Sequence, residues 1–206
     1  MTFFLEIIGT IAFAFAGALV AIDNDLDLFG INLMAVMTAC GGGMTRDIIL
    51  GNTPPMMFRN PVYVSIAVAT AFLTFIIYNR FAQSRFKNKI LDIITILDAA
   101  GLAIFTTVGM DLAMQLGHEN GFLICAMGVL TAVGGGLLRD IMVNVKPGLL
   151  TKEIYAMASM AGAVVYLVLL YIIPPVAANI ISLTVIFLLR MWAVIKHINL
   201  PTAQKH

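Results

Sequence analysis

The heptapeptide GGGMTRD at residues 41–47 returns as GGGLLRD at 134–140, each time inside a long apolar run. No other feature restricts the fold as strongly. Glycine is about 1 kcal/mol per residue worse than alanine in a helix, yet here it comes in threes where a membrane helix is expected. Matched interruptions in two apolar segments point to a site for something polar in repeat-built membrane proteins. Both triplets are therefore expected to break their helices near mid-depth.

The chain is 61% hydrophobic and 11% charged, against about 45–50% and about 25% in soluble domains, and so belongs in a bilayer. A crossing takes about 20 apolar residues. Seven segments qualify, at 3–22, 30–51, 61–79, 90–112, 121–145, 154–173 and 176–196. The expected fold class is an all-α integral membrane protein with seven transmembrane helices in a single domain, 1–206.

A shift of 93 residues superposes the triplets and lays Arg46 on Arg139, Asp47 on Asp140 and Thr38 on Thr131. A shift of 92 lays Glu6 on Asp98, Gly9 on Gly101 and Phe13 on Phe105. Residues 1–79 and 90–173 then form two three-helix repeats, and 176–196 is an extra helix. The third and sixth segments match only as apolar helices. Three crossings are an odd number, so the second copy enters from the opposite side and the topology is inverted.

Broken helices release carbonyls, which lipid does not tolerate unless water, ions or protein groups take over. Carbonyl oxygens suit hard monovalent cations, whose hydration they replace. The carbonyls of Gly41, Gly42, Gly134 and Gly135 are thus the candidate ligands for such a cation, and Gly43 and Gly136 complete the triplets. The competing reading is that the glycines only let helices pack closely. Arg46, Asp47, Arg139 and Asp140 follow about one turn later. Charges at membrane depth are costly and face protein or water. Neighbours on a helix point about 100° apart, so one residue of each pair is expected to line a conduit while the other pairs elsewhere, as Arg46 would with Asp140. Gating by these residues and a purely structural lock weigh evenly. Thr38 and Thr131, one turn before the triplets, are expected to line the passage ahead of bonding back to their own helices. Glu6 and Asp98 form a second acidic pair, read either as vestibule charges or as solvated helix ends.

Cys40 and Cys125 lie in apolar runs and are read as packing residues. No cofactor or resident metal is expected, the net charge of +1 gives no sign of nucleic acid, and no protein partner is evident. Arg80, Arg85, Lys87, Lys89, Lys146, Lys152, Lys196 and Lys205 gather on one side of a seven-helix arrangement. The bias toward cytoplasmic lysine and arginine puts the N-terminus outside and the C-terminus in the cytoplasm. Pro54, Pro55 and Pro147 are expected to fix turns, and Trp192 to anchor at the interface.

The doubled GGGxxRD motif, the two three-helix repeats and the seventh helix resemble the prokaryotic branch of the trimeric intracellular cation channel family, a domain also labelled glycine transporter. The resemblance covers nearly the whole chain. It implies a homotrimer in the prokaryotic plasma membrane, with a pore in each protomer for potassium and also sodium. It implies an hourglass pathway whose waist is formed by helices kinked at Gly41–Gly43 and Gly134–Gly136. The animal members carry a Lys-Glu-Val motif tied to phosphoinositide lipid, where this chain has Arg46-Asp47-Ile48.

Inverted repeats suit carriers as well as channels, so a secondary transporter of a small solute such as glycine is the alternative. A seven-helix chromophore protein would need a lysine inside its last helix, and Lys196 stands at the end. No nucleophile–base constellation or metal-ligand cluster suggests an enzyme. Small residues such as Gly9, Ala12, Ala16 and Gly101 suit either a trimer interface or packing within one protomer.

Overall fold

The computed structural model describes residues 2–81, 87–151, 154–196 and 198. Arg85, Lys152 and Lys205, on which part of the orientation argument rests, lie outside the described residues. The described residues form α1 (Thr2–Asp23), α2 (Leu28–Ile49), α3 (Met56–Arg59), α4 (Val62–Phe81), α5 (Lys87–Gln115), α6 (Gly121–Met142), α7 (Gly148–Thr151), α8 (Tyr155–Leu170) and α9 (Pro175–Ile195). Six of these helices are long and apolar enough to cross a membrane. The remaining apolar segment, α8, has 16 helical residues, about 24 Å at 1.5 Å per residue. The short α7 leads the chain into it.

Local chemistry sets the boundaries in both repeats alike. The Asp27 carboxylate caps α2 by accepting from Gly30 N at 2.8 Å. Asn120 caps α6 by accepting from Leu123 N at 3.1 Å. Such caps satisfy donors that the first helical turn leaves open. Past the ends of α2 and α6, the chain turns through the left-handed region at Gly51 (φ 68°) and Asn144 (φ 54°). Past α1 and α5 it does so at Asp25 (φ 56°) and Gly117 (φ 86°). Glycine, asparagine and aspartate tolerate this conformation best. Pro175 opens α9 at a position where a missing N–H costs nothing.

At the centre, α1, α2, α5 and α6 pack on one another. The α1–α5 contact is reciprocal. A Cβ on Gly101 would lie 2.1 Å from the Phe13 ring, and one on Gly9 would lie 3.0 Å from that of Phe105. The two rings meet with centroids 5.1 Å apart. Gly9 and Gly101 therefore serve packing inside the protomer, and Ala12 and Ala16 are buried there too. Similarly, Gly17 lies against Thr38 and Gly109 against Thr131, each with 2.5 Å from an ideal Cβ to the threonine Oγ1. These glycines bring α1 onto α2 and α5 onto α6.

Outside this core, α4 covers α1 and α2, while α8 covers α6 and α5. The extra helix α9 packs on α8 and α5. It approaches α8 closely because Gly162 leaves room for Ile186, and Ser182 Oγ donates to the Gly162 carbonyl at 2.6 Å. The Asp111 carboxylate accepts from the Tyr166 hydroxyl on α8 and from Asn179 Nδ2 on α9. That polar clamp has no counterpart in the first repeat, where the position matching Asp111 is Leu19.

Candidate functional site

Both α2 and α6 run unbroken through their glycine triplets, which corrects the expectation of broken helices with freed carbonyls. The reason is visible where the two helices cross. A Cβ on Gly42 would stand 2.1 Å from the Thr131 carbonyl oxygen, and one on Gly135 would stand 2.0 Å from that of Thr38. A Cβ on Gly134 would meet Gly42 Cα at 2.9 Å. Main chain lies on main chain, an approach that only the smallest residue permits. Close packing across the dyad offsets the poor helix propensity of glycine. The carbonyls of Gly41, Gly42, Gly134 and Gly135 belong to continuous helices, and that of Gly41 also accepts from Thr45 Oγ1 at 2.9 Å. A cation site of released carbonyls at these four residues has no support in this geometry.

The third glycine of each triplet has a different setting. Gly43 lines a cavity at the C-terminal end of α2, together with Glu6, Thr10, Arg46, Asp47 and Tyr63. Gly136 lines one at the C-terminal end of α6, with Asp98, Arg139, Asp140, Tyr155 and Arg190. Alternating crossings make α2 and α6 antiparallel, so the two cavities open toward opposite faces. The α2–α6 crossing lies between them. The first encloses about 50 Å³ and the second about 540 Å³.

Each cavity holds the same set of groups from the same three helices of its repeat. The tyrosines complete the correspondence, because the shift of 92 that joins Glu6 to Asp98 also joins Tyr63 to Tyr155. The third and sixth segments thus share more than apolar character. Glu6 accepts from the Tyr63 hydroxyl, so it is a cavity group and not a solvated helix end. Asp98 is buried against Arg139.

The arginine–aspartate pairs close locally, which corrects the expected cross-pair of Arg46 with Asp140. Arg46 Nε and Nη2 donate to Asp47 Oδ1 at 3.0 and 2.8 Å. Arg139 Nε donates to Asp140 Oδ1 at 3.0 Å, and its Nη1 to Asp98 Oδ1 at 2.9 Å. A long guanidinium side chain bends back over the 100° between adjacent positions. The other carboxylate oxygens organise the chain beyond: Asp47 Oδ2 accepts from Met56 N, and Asp140 Oδ2 from Gly148 N, both at 2.8 Å. Each aspartate therefore joins its arginine to the first residue of the following short helix, α3 or α7.

Thr38 and Thr131 donate to the carbonyls of Met34 and Met127 at 2.7 and 2.6 Å. Back-bonding, ranked second in the sequence, is what the geometry gives. Thr131 still lies at the wall of the first cavity.

Arg190 was missed in the sequence. It is 5% exposed, and its guanidinium carbon stands 4.9 Å from the Tyr155 ring centroid, within cation–π range. A lone arginine inside an apolar helix was a readable signal for a functional position. Among its described lining residues, the first cavity carries two carboxylates and one guanidinium, a net formal charge of −1. Among the described lining residues, the second balances Asp23, Asp98 and Asp140 against Arg139, Lys146 and Arg190.

A family model described as glycine transporter matches residues 3–79 and 95–171. The chain is 36% identical to the UPF0126 inner membrane protein YadS of Escherichia coli (strain K12), over 98% of this chain and 96% of that protein. It is 38% identical to a UPF0126 membrane protein of Deinococcus radiodurans, over 77% of this chain and 72% of the relative. The crystal structure of the trimeric intracellular cation channel orthologue from Rhodobacter sphaeroides superposes with a TM-score of 0.86 at 34% identity, covering 95% of this chain and 97% of that one. A prokaryotic channel of the same kind, crystallised in 0.5 M KCl, gives a TM-score of 0.87 at 34% identity, covering 97% and 98%.

Proposed function

This chain belongs to the family whose model is described as glycine transporter and whose solved members are prokaryotic trimeric intracellular cation channels, and on that premise we propose that it conducts monovalent cations across the membrane. It is a multi-pass membrane protein and not an enzyme. It works as a homotrimer with one pathway in each protomer, carrying potassium and also sodium, in the plasma membrane of a prokaryote. Its N-terminus lies outside and its C-terminus in the cytoplasm, so the first cavity opens outward.

One observation supports this reading above the others. Two cavities of opposite direction, each with a carboxylate, an arginine–aspartate pair and a tyrosine, flank one helix crossing. Ions enter at Glu6, pass beside the crossing near Gly43, Thr131 and Gly136, and leave past Asp98. The waist is the contact of Gly42 and Gly135 with the facing main chain. Arg46, Asp47, Arg139 and Asp140 shape the two mouths, while Thr38, Gly41 and Gly134 hold the waist together.

Single-channel recording on the purified protein in a planar bilayer tests this. Unitary currents that reverse at the potential set by a potassium gradient are expected. Saturable uptake of labelled glycine without such currents would favour the carrier named by the family model. A second measurement reads the outer mouth. With Glu6→Gln, inward current is expected to fall about twofold in 0.1 M KCl and to recover at 1 M, because the Debye length shrinks from about 10 to about 3 Å. An equal loss at both concentrations would show that Glu6 does not act through its field.

A further inference from the structure

Sulfur is unevenly distributed between the two cavities. Cys40, Met44, Met56 and Met57 all line the first. The repeat pairs them with Val133, Leu137, Gly148 and Leu149, which carry none. Three of those four, Leu137, Gly148 and Leu149, line the second cavity. The symmetry that preserves the carboxylate, the arginine–aspartate pair and the tyrosine is broken at all four sulfur positions.

The placement is not a matter of chance spacing along one helix. Cys40 and Met44 are four residues apart on α2 and share a face. Met56 and Met57 come from α3, whose first amide is held by Asp47 Oδ2 at 2.8 Å. Two separate elements thus present two sulfur side chains each to a space of about 50 Å³. A water needs about 10–15 Å³ measured this way, so the space has room for an ion together with a few waters. Methionine often fills irregular gaps in a core, and Met56 and Met57 do pack against buried neighbours here. A gap filler has no reason to border a cavity that also carries Glu6 and a net formal charge of −1.

Thiol and thioether are soft donors that select soft cations over potassium or sodium. We propose that the first cavity binds a soft monovalent cation, Cu(I) or Ag(I), through Cys40 Sγ and the thioethers of Met44, Met56 and Met57. As the metal–sulfur bond forms, the Cys40 thiol proton leaves to water, and no electron is transferred. The site stands independently of conduction, although it shares the mouth of the pathway and its occupation narrows that mouth.

Silver nitrate in chloride-free buffer is the probe, because Ag(I) needs no reductant. Silver retained by the purified full-length protein is measured by equilibrium dialysis. Wild type is expected to hold one tight equivalent per protomer that the combined variant Cys40→Ala, Met44→Leu, Met56→Leu, Met57→Leu has lost. Methionine to leucine nearly conserves volume, and unchanged elution of the variant as an assembled protein establishes that it folds. Cys125→Ala should keep the equivalent. X-ray absorption at the silver edge should show more than one sulfur neighbour per metal. Undiminished tight binding by the folded combined variant, loss of the equivalent in Cys125→Ala, or a single sulfur neighbour would each overturn the proposal. Silver block of unitary current, if conduction is established, is a separate readout, and its failure would leave the binding result standing.

Discussion

Replacing Gly42 or Gly135 with alanine is expected to destabilise the protein by about 3 kcal/mol or prevent its assembly, whereas the same change at Gly43 is expected to be neutral or mildly stabilising. Two opposing effects decide the sign. Alanine is favoured over glycine in a helix by about 1 kcal/mol. Overpacking a tight contact costs about 1–3 kcal/mol, and sometimes more. At Gly42 the new methyl would stand 2.1 Å from the Thr131 carbonyl, and at Gly135 it would stand 2.0 Å from that of Thr38. The obstacle is main chain, so no rotamer change relieves it and the crossing must open. At Gly43 the nearest atom is Arg46 Nη2 at 3.6 Å, an ordinary contact, and the propensity gain survives. Thermal unfolding in detergent, with size-exclusion chromatography to follow assembly, separates these neighbours. Equal stability of Gly42→Ala and Gly43→Ala would mean that the crossing is looser than described.

Arg139→Ala is expected to be the most destabilising change among the charged residues, by about 3–5 kcal/mol, the usual penalty for stranding buried partners of an ion pair. Arg139 serves two carboxylates, Asp98 on α5 and Asp140 beside it, with its own side chain 10% exposed. Without it, two negative charges face one another at the edge of the bilayer core. Among the described residues Arg46 forms an ion pair with Asp47 alone, so Arg46→Ala should cost less. Lysine is no substitute at position 139, because one ammonium does not reproduce the two-directional grip of a guanidinium. If stranded charge is the cause, adding Asp98→Asn and Asp140→Asn to Arg139→Ala should restore a large part of the loss, since asparagine can still accept from Gly148 N. Unfolding by graded SDS measures all of these variants. An Arg139→Ala protein as stable as wild type would refute the account.

The repeat, the membrane class and the matched glycines were legible because period and apolar length are written directly in the chain. The state of the triplets was not. Propensity marks GGG as a weak point in a helix, and only the partner helix determines whether that weakness is spent on a break or on a close crossing. The Arg46–Asp47 pairing was misjudged because the 100° argument treats side chains as fixed spokes, while arginine reaches around the helix. Tyr63 and Tyr155 escaped notice because each is one polar atom in an otherwise apolar span, although the shift found for Glu6 would have paired them. The left-handed turns were equally available, since Gly51 pairs with Asn144 and Asp25 with Gly117. There the shared feature is a backbone conformation and not a residue type, so identity-based comparison passes over it. Arg190 could have been found by asking why a membrane helix tolerates a charge in its interior.

The ninth helix has a consequence for direction. Two copies of one unit, placed head to tail about an in-plane axis, form a body that looks the same from either side, and a passage through it has no preferred sense. Here one added helix, clamped at Asp111 and bringing Arg190 to Tyr155, leans on a single copy. The cavity beside that helix is the larger, and its charges balance among the described lining residues, while the smaller cavity is negative among its own. The molecule is thereby given a front and a back, where duplication alone would have left two equivalent faces.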